Sequence, residues 1–116
     1  MGVLPLSLLT MLAATCAPQI APAMLAAIAQ TESQLDPLAI SDNTAHRSYR
    51  PKNKTEAIAL ARQLIDAGHS VDSGLMQINN ANMKWLDLSI PDAFEPCASL
   101  AAGAKVLTSL SGASAK

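Results

Sequence analysis

Glu32 is a carboxylic acid at a position where the pattern of its helix calls for an apolar side chain. The segment 21–33 predicts a helix, with Pro22 in the first turn, where its missing N–H makes no difference. Leu25, Ile28 and Glu32 are spaced i, i+3 and i+7, so they share one face of this helix. A carboxyl group against apolar side chains loses hydration and stays protonated closer to neutral pH, as a general acid that protonates a glycosidic oxygen must. In the alternative, Glu32 only ends the helix and bends into water.

A second group of residues suited to chemistry lies in the segment 73–79, some forty residues further along, which reads Ser-Gly-Leu-Met-Gln-Ile-Asn. Gly74 permits a tight turn of the backbone. Met76 is either a core residue or a flexible surface for a sugar ring, and Gln77 offers an amide donor and acceptor for N-acetyl or hydroxyl groups. Ser33 either bonds the Glu32 carboxylate or a substrate group, or is only a hydroxyl at the helix end.

The Glu32-Ser33 pair and the Gly-Leu-Met-Gln-Ile-Asn motif, in this order and at this separation, resemble the lytic transglycosylases of the lysozyme-like superfamily. The similarity is greatest to the small VirB-type transglycosylases of type IV secretion systems, which open peptidoglycan for the secretion channel. Further matching stretches are Cys16–Pro18, Leu25–Ser33, Asp36–Ile40, His69–Asn79 and Cys97–Leu107, so the resemblance covers most of the chain.

The resemblance implies a mainly α, lysozyme-like α+β domain over residues 1–116, with Glu32 in a cleft whose other wall carries Gly74, Met76 and Gln77. It implies that Glu32 protonates the oxygen between N-acetylmuramic acid and N-acetylglucosamine. The same carboxylate then takes a proton from the muramyl C6 hydroxyl, which closes an anhydro ring without water, metal or cofactor. The resemblance also implies that the partners are peptidoglycan strands and other type IV secretion components, and that the protein is periplasmic.

The sequence departs from this family pattern at its C-terminal end. The pattern continues beyond the last helix into a Tyr-Asn motif, whereas the only tyrosine here is Tyr49, so we expect the C-terminal part of the fold to be missing. One alternative is therefore a truncated, non-catalytic relative that binds glycan or assists assembly of a secretion system. Another is a hydrolytic lysozyme, which needs a second carboxylate, for which Asp36 and Asp72 are the candidates.

Composition and cysteine content narrow the class of protein. The chain has 116 residues, of which 50% are hydrophobic but only 3% aromatic, which favours closely packed helices over an all-β fold. A net charge of -1 argues against a nucleic-acid partner. Cys16 and Cys97 lack the close Cys or His neighbours of a metal site and predict either a disulfide or two buried thiols. Cys97 shares a helical stripe with Leu100 and Ala104 and is expected to face the core.

The remaining pattern predicts four further helices and one long loop. Residues 6–15 form either a first helix or part of a signal-like apolar run, which is too short to span a bilayer. Further helices are predicted from a Thr55 cap to about Ala67, over 80–86, and from Pro96 to about Leu110. The segment 36–54 is predicted to be a loop, and its basic part, 46–54, either a solvated surface or a weak attractor of anionic cell-wall polymer.

Overall fold

The structure, a computed structural model, describes residues 2–109. Its elements are α1 (Leu6–Cys16), α2 (Pro22–Ser33), β1 (Ile40–Asp42), β2 (Arg47–Tyr49), α3 (Lys54–Asp66), β3 (Val71–Ser73), β4 (Ile78–Asn79), α4 (Met83–Leu86), α5 (Ile90–Ala93) and α6 (Pro96–Thr108). A single 3₁₀ turn, Asn80–Asn82, joins β4 to α4. The prediction of a mainly helical α+β domain is confirmed.

Helices α1, α2 and α6 begin where the sequence predicts. Pro22 and Pro96 each occupy the first turn of their helix. Backbone N–H groups there have no acceptor within the helix, so the N–H that proline lacks costs no hydrogen bond. The predicted end of α6 near Leu110 and the tail 111–116 lie outside the described residues. Within residues 2–109 no helix has both the length and the apolar character needed to cross a bilayer.

Helix α3 begins two residues earlier than a Thr55 cap would place it. Asn53 is the actual cap, because its Oδ1 accepts a hydrogen bond from the Glu56 backbone N–H at 2.9 Å. Gly68, with φ of 87°, follows the end of the helix, as predicted.

The prediction that segment 36–54 is a loop is wrong in part, because this segment supplies two strands. Strand β1 pairs with β2 and with β3, and β3 pairs with β4, giving an antiparallel sheet in the order β2-β1-β3-β4. Ile40 of β1 lies opposite Tyr49 of β2 on one side and opposite Ser73 of β3 on the other. Strands of two or three residues are too short to show a period of two in the sequence.

The buried apolar side chains of residues 2–109 form two clusters. The larger one joins α1, α2 and α6 to the β3–β4 hairpin, and its largest fully buried members are Leu9, Leu25, Leu75 and Leu100. The smaller one packs α3 on the sheet and α5, through Leu38, Ile40, Ala57, Ala61, Val71 and Phe94. The larger cluster thus lies among three helices and the smaller one between the sheet, α3 and α5. The β3–β4 hairpin contributes side chains to both.

The disulfide between Cys16 and Cys97 is present, with a Cα–Cα distance of 5.3 Å. It ties the end of α1 to the first turn of α6. The expectation that Cys97 faces the core is wrong, since Cys97 is exposed, whereas Leu100 and Ala104 on the same helix are buried.

Candidate active-site cleft

A cavity of about 250 Å³ lies between the end of α2, the β3–β4 hairpin and the C-terminal half of α6. Its polar lining comes from Glu32, Gln77, Asn79 and Asn82, and its apolar lining from Ile28, Met76, Ile78, Gly103, Val106 and Leu107. Of the predicted site residues, the cavity brings together Glu32, Met76 and Gln77 and does not include Ser33 or Gly74. Among the described lining residues, Glu32 alone bears a carboxylate.

Glu32 lies in the last turn of α2, and its side chain is exposed on the cavity wall. On the face that it shares with Leu25 and Ile28, Leu25 is fully buried while Ile28 is partly buried and lines the cavity. This face therefore leaves the core as the helix ends, and the expected burial of Glu32 against apolar side chains is wrong.

The end of α2 is fixed by Arg50, which follows β2. Its Nη1 donates to the Ser33 carbonyl at 2.9 Å and to Asp36 Oδ2 at 3.1 Å, and its Nη2 donates to Gln34 Oε1 at 2.9 Å. A cation beside the last carbonyls of a helix is stabilising, because the negative end of the helix dipole lies there. The basic segment predicted as a solvated surface thus holds the turn that carries Glu32, a role that its composition alone does not reveal.

Ser33 is buried, and its hydroxyl donates to the Ala29 carbonyl at 3.0 Å. This is the bond that a helical serine makes to the residue four positions earlier. Of the two roles left open by the sequence, the structure places the Ser33 hydroxyl at the helix end.

Gly74 begins the turn of the β3–β4 hairpin, with φ of 82°. A Cβ at this position would lie 1.9 Å from the carbonyl oxygen of Ala93, in α5. Its N–H donates to the Ala39 carbonyl at 2.8 Å. Glycine is therefore required here by the packing of the backbone, and Gly74 does not itself line the cavity.

Met76 joins the hairpin turn to α6. Its backbone N–H donates to the hydroxyl of the buried Ser99 at 3.0 Å. Its side chain lies directly over Gly103, where an added Cβ would approach Met76 Cε to 2.8 Å. The absence of a side chain at Gly103 thus gives Met76 room within the cavity wall.

Gln77 is only 3% exposed, and its side-chain amide is bonded within the protein. Nε2 donates to the carbonyl oxygens of Ala39 at 3.0 Å and Gly74 at 2.9 Å, and Oε1 accepts from the Ser41 hydroxyl at 2.6 Å. Because an amide nitrogen has two N–H groups, both donors of Gln77 are already used. Gln77 therefore links the hairpin turn to β1, and the amide donor expected for a glycan is occupied.

The two candidates for a second carboxylate are held away from the cavity lining. Asp72 accepts hydrogen bonds from Asn79 Nδ2 at 2.9 Å and from Asn43 Nδ2 at 3.2 Å. Asp36 accepts from Leu38 N at 2.9 Å and pairs with Arg50. Both aspartates are at most 9% exposed and serve the turns that surround them.

A further carboxylate, Asp42, stabilises the β1–β2 hairpin outside the cleft. Burial alone would raise the pKa of Asp42, but hydrogen bonds from His69 Nδ1, at 2.8 Å, and from the backbone N–H groups of Ala45 and Thr44 outweigh burial and lower it. Within residues 2–109 no group of three or more His, Cys, Asp or Glu side chains is arranged to hold a metal ion.

Comparison with known proteins shows which family the chain belongs to. The model of the transglycosylase SLT domain matches residues 10–114, and the chain belongs to this family of lytic transglycosylases. No solved structure matches the chain.

VirB1 proteins are among the relatives of the chain, so the predicted VirB-type resemblance is confirmed. The chain is 46% identical over 94 residues to protein virB1 of Agrobacterium fabrum, and the matched region covers 81% of this chain and 38% of that protein. It is 36% identical over 96 residues to the type IV secretion system protein virB1 of Brucella abortus, covering 83% and 40%. The chain thus spans about two fifths of the length of the relatives it matches.

Proposed function

We propose that this chain cleaves the bond between N-acetylmuramic acid and N-acetylglucosamine in peptidoglycan and leaves an anhydromuramyl end. The observation that carries this proposal is the placement of Glu32 as the one carboxylate among the described residues that line the cavity. A hydrolase with two acids needs a second carboxyl group across the scissile bond, about 5–10 Å from the first. Asp36 and Asp72 are instead engaged in turns outside the cavity lining.

Glu32 has the position required of an acid that later serves as a base. It is exposed to the cavity, so a glycosidic oxygen can reach its carboxyl proton. In the proposed reaction Glu32 donates that proton to the leaving oxygen and then takes one from the muramyl C6 hydroxyl. Once the glycosidic bond has broken, the substrate's own N-acetyl group supports the positive anomeric carbon. The C6 oxygen then bonds that carbon as its proton passes to Glu32, so the acid is regenerated and no water is consumed.

The remaining predicted site residues support this reaction in different ways. Met76 lines the cavity and supplies an apolar surface for a sugar ring. Three others, Ser33, Gly74 and Gln77, hold the backbone in place: Ser33 at the end of α2, and Gly74 and Gln77 at the hairpin turn. These three are positioning residues in the proposed site.

We further propose that the reaction takes place in the periplasm, where it opens the cell wall for a type IV secretion or conjugation apparatus. Two findings support this setting. One is the disulfide between Cys16 and Cys97, a bond that persists in oxidising compartments. The other is that similar proteins bear the name of type IV secretion components.

Incubation of the purified chain with peptidoglycan, with the products resolved by mass, tests the proposal. We expect anhydromuramyl ends from the wild type and a loss of about 100- to 10,000-fold for Glu32→Gln, because an amide can neither give nor recover a carboxyl proton. Glu95→Gln, the same change at an exposed glutamate outside the cavity, is the matched control and should keep wild-type activity.

Other products would contradict the proposal. Reducing ends, together with a loss for Asp72→Asn as large as for Glu32→Gln in folded protein, would indicate a two-acid lysozyme. Binding of glycan without any release would indicate the non-catalytic module.

A further inference from the structure

The only tryptophan of the chain, Trp85, lies in α4 and is 46% exposed. Its neighbours Met83 and Leu86 are buried, and Leu86 belongs to the larger apolar cluster. The short helix is thus anchored on one side while it presents a large aromatic side chain on the other.

The orientation of the indole ring is fixed by a hydrogen bond to the cavity wall. Trp85 Nε1 donates to Asn82 Oδ1 at 2.8 Å, and Asn82 lines the cavity while being only 2% exposed. Because indole is a donor only, the oxygen of the Asn82 amide must face Trp85. The amide nitrogen, Nδ2, therefore faces away from the indole.

The two N–H groups of Asn82 Nδ2 have no acceptor among residues 2–109. This distinguishes Asn82 from the other two amides of the cavity lining. Gln77 uses both of its N–H groups within the protein, and Asn79 Nδ2 donates to Ser70 Oγ and Asp72 Oδ1. Asn82 is therefore the lining amide with donors available to a ligand.

We propose that Asn82 and Trp85 form a sugar-binding subsite next to the Glu32 cavity, which takes an N-acetylated sugar of the glycan strand. Asn82 Nδ2 donates to an N-acetyl carbonyl or hydroxyl oxygen. The indole N–H of Trp85 is already bonded, so its exposed carbon surface is left to pack on the apolar C–H face of a pyranose ring. This subsite rests on the proposed function, since it binds a more distant sugar of the same strand.

The sole tryptophan makes the subsite directly observable. In the Glu32→Gln protein, which holds the strand without cleaving it, peptide-free peptidoglycan strands of six sugars should change the fluorescence of Trp85 in a saturable manner. The midpoint should equal the Kd measured by calorimetry, because both report the same binding event.

Variants in the same Glu32→Gln background separate the parts of the subsite. Trp85→Leu should weaken binding of the six-sugar strand by about 10-fold, whereas Trp85→Phe, which keeps a flat ring, should weaken it by less than about 3-fold. Asn82→Asp keeps an oxygen for the indole N–H but removes the amide donors, and should also weaken binding by about 10-fold. Met11→Ala, at an exposed apolar residue of α1, is the control and should bind unchanged.

Two results would overturn the inference, and they are distinguishable. If the strand binds while Trp85→Leu and Asn82→Asp match their parent and the fluorescence is unchanged, the subsite is wrong and the proposed function stands. If no strand binds and the wild type releases no product, the subsite and the proposed function are both wrong.

Discussion

Replacement of Gly74 by alanine should destabilise the protein far more than the same replacement of Gly68. Both glycines have left-handed backbones, with φ of 82° and 87°, so each alanine variant loses about 1 kcal/mol of unfolding free energy from backbone strain. At Gly68 a new Cβ meets nothing within 4 Å. At Gly74 it would lie 1.9 Å from the Ala93 carbonyl oxygen, so the backbone of α5 must move by about 1 Å. Overpacking of this kind adds about 3 kcal/mol, for a total near 4 kcal/mol.

Urea unfolding followed by far-UV circular dichroism measures this difference with the disulfide intact. We expect a small shift of the midpoint for Gly68→Ala, a large shift for Gly74→Ala, and the same slope for both, since neither should change the area exposed on unfolding. Gly74→Ala should also lower cleavage, because the turn that it strains carries Met76 and Gln77. Equal losses of stability for the two variants, within about 0.5 kcal/mol, would refute the argument from the Ala93 contact.

Three further predictions concern stability. Because the pKa of Asp42 is lowered in the folded protein, its contribution to stability is complete above about pH 4 and is lost as the pH falls through the lowered value. Asp42→Asn should therefore weaken the pH dependence of the unfolding free energy, measured by urea unfolding at acidic pH, and an unchanged pH dependence would contradict the assignment. Reduction of the Cys16–Cys97 bond, which spans 81 residues, should lower the unfolding free energy by up to about 4 kcal/mol, whereas free alkylation of both thiols in unreduced periplasmic protein would show that the bond is absent. Ser73→Ala should raise the thermal midpoint by an amount equivalent to about 1 kcal/mol, because the buried Ser73 Oγ has no hydrogen-bond partner among the described residues; a loss of stability would mean that the hydroxyl is bonded.

The longer helices could be predicted from the sequence because their signals are local, whereas the four-residue helix α5 was not predicted. Pro22 and Pro96 mark first turns, and Gly68 marks an end, each within a few residues of the element it bounds. The sheet could not be predicted in the same way. Its strands have at most three residues and are defined by pairing between distant segments, such as Ile40 with Ser73.

The candidate site was predictable in its residue types and less so in their roles. The spacing of Glu32 from Leu25 places it correctly on a shared helical face, yet whether that face is buried depends on where α6 and the hairpin lie. The bond from Arg50 to the Ser33 carbonyl has no counterpart in the sequence pattern, since it joins residues 17 positions apart. The availability of the Asn82 donors could not be predicted from the sequence, because it is evident only from the indole bond of Trp85.

The bonds of the Gln77 side chain bear on how sequences that contain this motif should be interpreted. Its carboxamide behaves like an additional peptide group, since it donates to two main-chain carbonyls, that of Gly74 in the hairpin turn and that of Ala39, the residue before β1. A glutamate there would set a carboxylate against those two oxygens, so the fold itself selects an amide at this position. A protein that had exchanged its carboxylate at position 32 for another group would need the glutamine no less. The Gly-Leu-Met-Gln motif is therefore diagnostic of the architecture. Under the proposed mechanism, the carboxylate of α2 is the feature that would distinguish active members of the family.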